Sequence, residues 1–317
     1  MANSINWGKI YESTYWGSGV TDNTINWGKS YRNLAGDPAP FITEWRTETN
    51  GETITIPIQT NNTYTITTSE GHQFTTDVYN PTITFQTAGT HEVSISGDIQ
   101  QIQFNNTGDK DKIYDIKQWG TDTTWTYFTN AFYGCSFLNI TAADVPIMAI
   151  TNFSRAFRDT DLTTFNRVND WDVSNVINMT DLFRDSNFNE DISGWDVSNV
   201  TIFNQSFRSS AFNQDIGNWN VSSATIMKNL FFSTPFNQDI GNWDVSNVTT
   251  MQAMFQSNTE FDQDISGWDI TNVTTFTNFL LGATLSTANY DDLLNGWYST
   301  LKAIYVDPAS PPSSPGS

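Results

Sequence analysis

Apolar residues recur at two fixed positions through the second half of this chain. Trp171, Trp195, Trp219, Trp243 and Trp268 are spaced by 24, 24, 24 and 25 residues. Phe132, Phe157, Phe183, Phe207, Phe231 and Phe255 run in step with them, and Leu280 takes the same slot at the end. Trp119 lies 52 residues before Trp171, two repeat lengths, so two degenerate units precede five regular ones. Self-similarity with a period of about 20–50 residues marks stacked repeats, in which each unit buries its apolar face against its neighbours.

Within one unit, Trp243 and Val245 alternate as on a strand. Ser246 or Asn247 is placed to cap a following short helix, in which Val248, Met251, Met254 and Phe255 fall on one stripe. The expected fold over residues 114–285 is therefore an α/β repeat solenoid of about seven units, each a short strand plus a short helix per 24–26 residues. Residues 286–317 supply its end. Ser286 would cap a helix with Tyr290, Leu293, Leu294 and Trp297 on one face, followed by a Pro/Ser-rich tail.

The first half reads differently. Ile54, Ile56 and Ile58, then Tyr64 and Ile66, Ile83 and Phe85, and Val93 and Ile95 alternate between turn signals such as Asn61-Asn62 and Gly97-Asp98. That pattern predicts a small all-β antiparallel sandwich over 41–113, acting as a spacer. Ahead of it, Ile5-Asn6-Trp7-Gly8-Lys9 recurs as Ile25-Asn26-Trp27-Gly28-Lys29. Residues 1–40 are too few for a core of their own. Trp7, Tyr11, Trp16, Trp27 and Tyr31 either pack on the sandwich or serve attachment and oligomerisation, as in a trimer.

The formal net charge is −20, which disfavours nucleic acid as a partner. Cys135 is the only cysteine, so no intrachain disulfide is expected. No stretch approaches a membrane span, and the chain starts without a basic segment leading into an apolar run. The expectation from that start is a protein that reaches the outside without its own signal, with release within a virus particle as one route and a leader missing from this sequence as another, which Met1 argues against.

The repeats resemble those of BspA-like surface proteins, whose leucine-rich-type units also occur in mycoplasma lipoproteins. The motif stands as Phe-Asn-Gln-Asp-Ile-Gly-Asn-Trp at 212–219 and 236–243, and as Trp-Asp-Val-Ser-Asn-Val at 171–176, 195–200 and 243–248. The flanking segments 104–110, 131–135 and 285–290 resemble the family's approach and ending, so the likeness covers about 41–300. It implies adhesion or host-surface binding, with no catalytic residues. The segment 41–113 resembles PKD-like sandwiches, without their Trp-Gly-Asp-Gly turn. The Ile-Asn-Trp-Gly-Lys segment is similar to N-termini of structural proteins from marine bacteriophages.

Two families of side chains could carry recognition. Arg158, Arg184 and Arg208 each follow a repeat Phe, in a chain with only 14 basic residues. They either sit at helix C-termini or form a ladder for carboxylated or phosphorylated glycans, because guanidinium forks match those groups. Asp191, Asp215, Asp239 and Asp264 share one slot; Asp172, Asp196, Asp244 and Asp269 share another, where Asn220 replaces the third member. Each carboxylate either accepts N–H bonds in its own turn or joins others around calcium between repeats. Asn220 favours the turn.

Signals of catalysis are absent: His72 and His91 stand alone, and no phosphate loop or nucleophile elbow occurs. A glycosidase-type carboxylate pair would have to come from the non-repeating acids Asp161, Asp170, Asp181, Glu190 and Glu260. The reading is a non-enzymatic virion surface protein, such as a tail fibre, spike or head decoration. It would need no cofactor, join other virion proteins through residues 1–40, and recognise a host-surface glycan or protein. The alternatives are a bacterial extracellular adhesin and a glycan-depolymerising spike.

Overall fold

The computed structural model describes residues 38–305, all within the second of the chain's two compact units, which begins at Pro38. Trp7, Tyr11, Trp16, Trp27 and Tyr31, and the tail beyond Tyr305, lie outside the described residues.

Ten strands are formed: β1 (Phe41–Thr47), β2 (Thr53–Thr55), β3 (Tyr64–Thr68), β4 (Gln73–Thr76), β5 (Thr82–Thr84), β6 (Gly89–Ser96), β7 (Ile113–Gln118), β8 (Thr124–Trp125), β9 (Asn139–Ile140) and β10 (Ile147–Met148). Six of them make one sheet in the order β4-β3-β6-β1-β7-β9. Its pairs are antiparallel except β7 and β9, which run parallel. Strand alternation holds well. Tyr64, Ile66 and Thr68 point inward from β3, and His91, Val93 and Ile95 from β6. The small antiparallel sheet β2-β5 adds Ile54 and Ile83 to the same core. The boundary expected near residue 113 runs through this sheet, since β7 starts at Ile113 and pairs with β1.

The repeat region departs from its expected fold. It is not an α/β repeat solenoid: among the described residues the regular structure is mostly β-sheet, and the one α-helix is α1 (Thr287–Tyr305), after the repeats. Where each unit was expected to form a helix, the chain instead makes consecutive tight turns. The reason lies in the amide directions. A helix sends every N–H to the carbonyl four residues back. Here alternate amides split. Leu182 and Arg184 donate back three residues, to Met179 and Asp181. Met179, Asp181, Phe183 and Asp185 donate instead to Ile202, Asn204, Ser206 and Arg208 of the next unit.

That alternation requires left-handed backbone at two places per unit. Arg155 and Asp159, Asp181 and Asp185, Gln205 and Ser209, Asn229 and Ser233, and Ala253 and Ser257 all have φ between 52° and 60°. Asn and Asp tolerate this region through local hydrogen bonding, and Gly134 and Gly282 fill the second slot at either end.

Three further sets of bonds tie unit to unit. Single-residue parallel bridges link Asn152, Asn178, Ile202, Ile226, Thr250 and Thr275 in succession. The indole Nε1 of Trp195, Trp219, Trp243 and Trp268 donates to the carbonyl of Val168, Ile192, Ile216 and Ile240 of the preceding unit, at 2.7–3.1 Å. The repeat tryptophan thus satisfies a buried carbonyl besides filling the core, a net gain of about 0.5–1.5 kcal/mol each. Finally, Asn189, Asn213, Asn237 and Asp262 form a clamp. The side-chain oxygen of each accepts the backbone N–H of its successor in the next unit, at 2.8–2.9 Å, ending on Ser286.

Helix α1 closes the array by imitating one more unit. Trp297 Nε1 donates to Ile265 O at 3.2 Å, the bond a repeat tryptophan would make. Asn289 Nδ2 donates to Asp262 O at 2.9 Å, where the preceding units use a glutamine. The helix fits closely only because residue 296 is glycine: a Cβ there would lie 2.4 Å from Ser266 O. Ser286 accepts the Asn289 N–H at the helix start, as expected. The expected apolar face is divided, however. Leu293 and Trp297 are buried, whereas Tyr290 and Leu294 are exposed.

Candidate recognition surface

The tight turns set the residue after each repeat phenylalanine in one column, one unit apart. Along the array it reads Tyr133, Arg158, Arg184, Arg208, Phe232 and Gln256. The three arginines do not sit at helix C-termini, because no helix is present there. They are bracketed by aromatic rings instead. The Arg158 guanidinium lies 4.9 Å from the Tyr133 ring centre and that of Arg208 lies 4.5 Å from Phe232, within cation–π range.

The charges beside this column change along it. Asp181, 4% exposed at its side chain, faces Arg155 at 3.2 Å, Arg158 at 3.7 Å and Arg184 at 3.4 Å. Asp159 Oδ2 lies 3.6 Å from Arg158 Nε, and Asp185 Oδ2 lies 3.0 Å from Arg184 Nε. Burial pushes the Asp159 carboxyl above its ordinary value, against the pull of Arg158. One unit further on, Gln205 and Ser209 stand where Asp181 and Asp185 stood. Gln205 Oε1 accepts from Arg184 Nη1 at 3.2 Å and from Arg208 Nη1 at 3.0 Å. The surface is thus salt-bridged at one end, and at the other Arg208 has no ion pair among the described residues.

The aspartate columns are built into turns. Asp191, Asp215, Asp239 and Asp264 each accept the N–H two residues on, at 2.8–2.9 Å. Asp172, Asp196, Asp244 and Asp269 do the same at 3.0–3.1 Å. Asn220 makes the same turn, accepting the Ser222 N–H at 3.2 Å, so the slot needs an acceptor and not a charge. Among the described residues no group of three or more metal-ligating side chains converges.

The turn bonds have a pH consequence. The hydroxyls of Ser246 and Thr271 hold the Asp244 and Asp269 carboxyls below their ordinary values, and the Ser266 N–H does so for Asp264. A folded-state value below the unfolded one gives stability that is complete above the unfolded value, about 3.9 for Asp, and is lost as pH falls through the folded one. Thermal unfolding followed by circular dichroism should therefore show a falling midpoint below about pH 4. In Asp244→Asn plus Asp269→Asn that dependence should be shallower, with the turns intact; an unchanged acid slope would show that these turns do not carry it.

Three other chemistry-bearing groups, Cys135, His91 and Asp109, are held by their surroundings. Cys135 is buried, and burial pushes its thiol well above the usual range. His91 is buried, stacked on Phe85 at 3.8 Å and 2.9 Å from Thr47 Oγ1. A shallow pocket lined by Pro57, Gln103, Phe104 and Asp109 has its carboxylate engaged: Asp109 accepts the Thr55 N–H and pairs with Lys112.

Residues 151–235 and 209–299 each match the model of a family described as Mycoplasma protein of unknown function, DUF285. Together the matches span 151–299, just under half of the chain, and support the mycoplasma-type repeat resemblance over that segment. No curated protein and no solved structure matches the chain.

Proposed function

We propose that this chain is a non-enzymatic surface-recognition protein whose array binds an anionic glycan. The observation that carries this reading is the column Tyr133–Arg158–Arg184–Arg208–Phe232, in which half-buried guanidinium groups and aromatic rings line one edge of successive turns. Guanidinium forks match carboxylate and phosphate, and rings present a flat apolar face beside them. In a chain of net charge −20, a run of three arginines on one edge stands against the general acidity. Asp181, the one non-repeating acid at this edge, is engaged by three arginines, which weighs against a glycan-cleaving pair there.

The finer reading is a virion surface component, with residues 1–40 joining it to other virion proteins. The duplicated Ile-Asn-Trp-Gly-Lys segment and its likeness to phage structural proteins support it.

The full chain should bind an immobilised panel of uronate-, sialate- and phosphate-bearing oligosaccharides at physiological salt and ignore their neutral counterparts. Equal binding to both sets, or to neither, rejects the glycan reading.

A further inference from the structure

Arg158, Arg184 and Arg208 repeat one slot, but their surroundings do not repeat. On the first two units the residue after the arginine is an aspartate, and it lies against the same guanidinium: Asp159 beside Arg158, Asp185 beside Arg184. On the third unit that residue is Ser209, and the acid three residues before the arginine has become Gln205. The backbone has not changed to suit. Ser209 has φ 52° and Asp185 φ 54°, and each donates its N–H to the next unit, to Phe232 O and Arg208 O respectively.

Arg208 is therefore a guanidinium held in a setting whose copies one and two units back each contain a carboxylate. Among the described residues the Arg208 side chain donates only from Nη1, to the neutral Gln205 Oε1 that it shares with Arg184, and its buried Nε has no partner. Nη2 finds no protein acceptor among the described residues. The exposed side chains of Ser209 and Ser233 lie in the slots that carry the aspartates in the earlier units. The Phe232 ring holds the guanidinium from the other side at 4.5 Å.

We infer that Arg208 is a single carboxylate-binding subsite, and that the carboxylate of an acidic sugar supplies the group that Asp159 and Asp185 supply in the earlier units. Arg184 and Arg158 then serve the fold and are not the ligand-binding cations, since each already faces two carboxylates and is only 22% and 19% exposed at its side chain. The inference rests on the glycan reading above and narrows it, from a ladder of three arginines to one, and from anions in general to carboxylate. A guanidinium N–H donates a short, charge-assisted hydrogen bond to a carboxylate, and Nη2 is the nitrogen left for it. Ser209 and Ser233 add hydroxyl donors on the rim.

The test fills the subsite from within. In Ser209→Asp the new carboxylate stands beside Arg208 as Asp185 stands beside Arg184, on backbone that aspartate already adopts in this fold. Ser209→Asn puts a neutral side chain of the same shape on the same backbone. Full-length wild type and both variants are passed over immobilised uronate- and sialate-terminated oligosaccharides and over the same panel after methyl esterification. The expected result is a loss of about tenfold or more for Ser209→Asp, near wild-type binding for Ser209→Asn, and no binding to the esters. Ser209→Asp should melt no lower than wild type, which separates a filled site from a damaged fold. Undiminished binding by Ser209→Asp, or an equal loss in Ser209→Asn, overturns the subsite while leaving the glycan reading in place. Wild type that binds nothing on the acidic panel removes both.

Discussion

Phe207→Ala should lower the unfolding free energy by about 3–5 kcal/mol. The ring is buried and stacked at 4.1 Å on Phe212. It also stacks at 5.9 Å on both Phe183 and Phe231, the same residue of the units before and after. Truncation therefore empties a site with structure on every side. The neighbours cannot close in, because their own turns are pinned by inter-unit bonds from Phe183 N to Ser206 O and from Phe207 N to Leu230 O. Transfer and cavity terms then add in full. Urea titration of the full chain measures the change; a loss under about 1 kcal/mol would mean that the column relaxes around the gap.

Asp181→Asn should cost about 3 kcal/mol. Asparagine keeps the left-handed backbone, φ 56° at this position, so the substitution removes charge with little else. What remains is three guanidiniums around a neutral amide. Arg155 is 43% exposed, and water screens its share; Arg158 and Arg184 are largely covered, and the cost arises chiefly from them. The next unit supplies an internal comparison, since Gln205 holds two arginines in the same slot without a charge. A variant as stable as wild type would show that an amide suffices at both positions.

The period, the tryptophan and phenylalanine columns and the strand alternation of residues 41–96 were legible in the sequence because burial imposes them directly. The path of the chain between those columns was not. Val248, Met251, Met254 and Phe255 fit a helical stripe, and they are all buried, but through turns whose alternate amides point to the next unit. Apolar spacing records which residues face the core; it says little about where the amides go. A signal was present in the second left-handed slot, occupied in succession by Gly134, Asp159, Asp185, Ser209, Ser233, Ser257 and Gly282, a choice of residues that suits turns better than helix interiors. The asparagine clamp was equally visible, as the Phe-Asn-Gln-Asp run at 212–215 and 236–239. The arginine column is visible in the sequence as a register, since each arginine follows a repeat phenylalanine. That Asp181 neutralises part of it could not be read from spacing, because Asp181 also meets Arg155 and Arg158, 26 and 23 residues back, and only the stacking of one unit on the next brings them together.

The direction of the backbone bonds bears on how the units could come apart. The turn N–H groups point toward the C-terminal end, from Phe104 and Asn106 donating to Ala131 and Tyr133 onward. A second set runs the opposite way: Thr201, Thr225, Thr249 and Thr274 donate to Ile177, Thr201, Thr225 and Thr249 of the unit before. Each junction thus takes donors and acceptors from both sides. Parting two units would uncover both kinds of group at once, an edge on which other chains can add, so the intact run of junctions is itself a guard against aggregation.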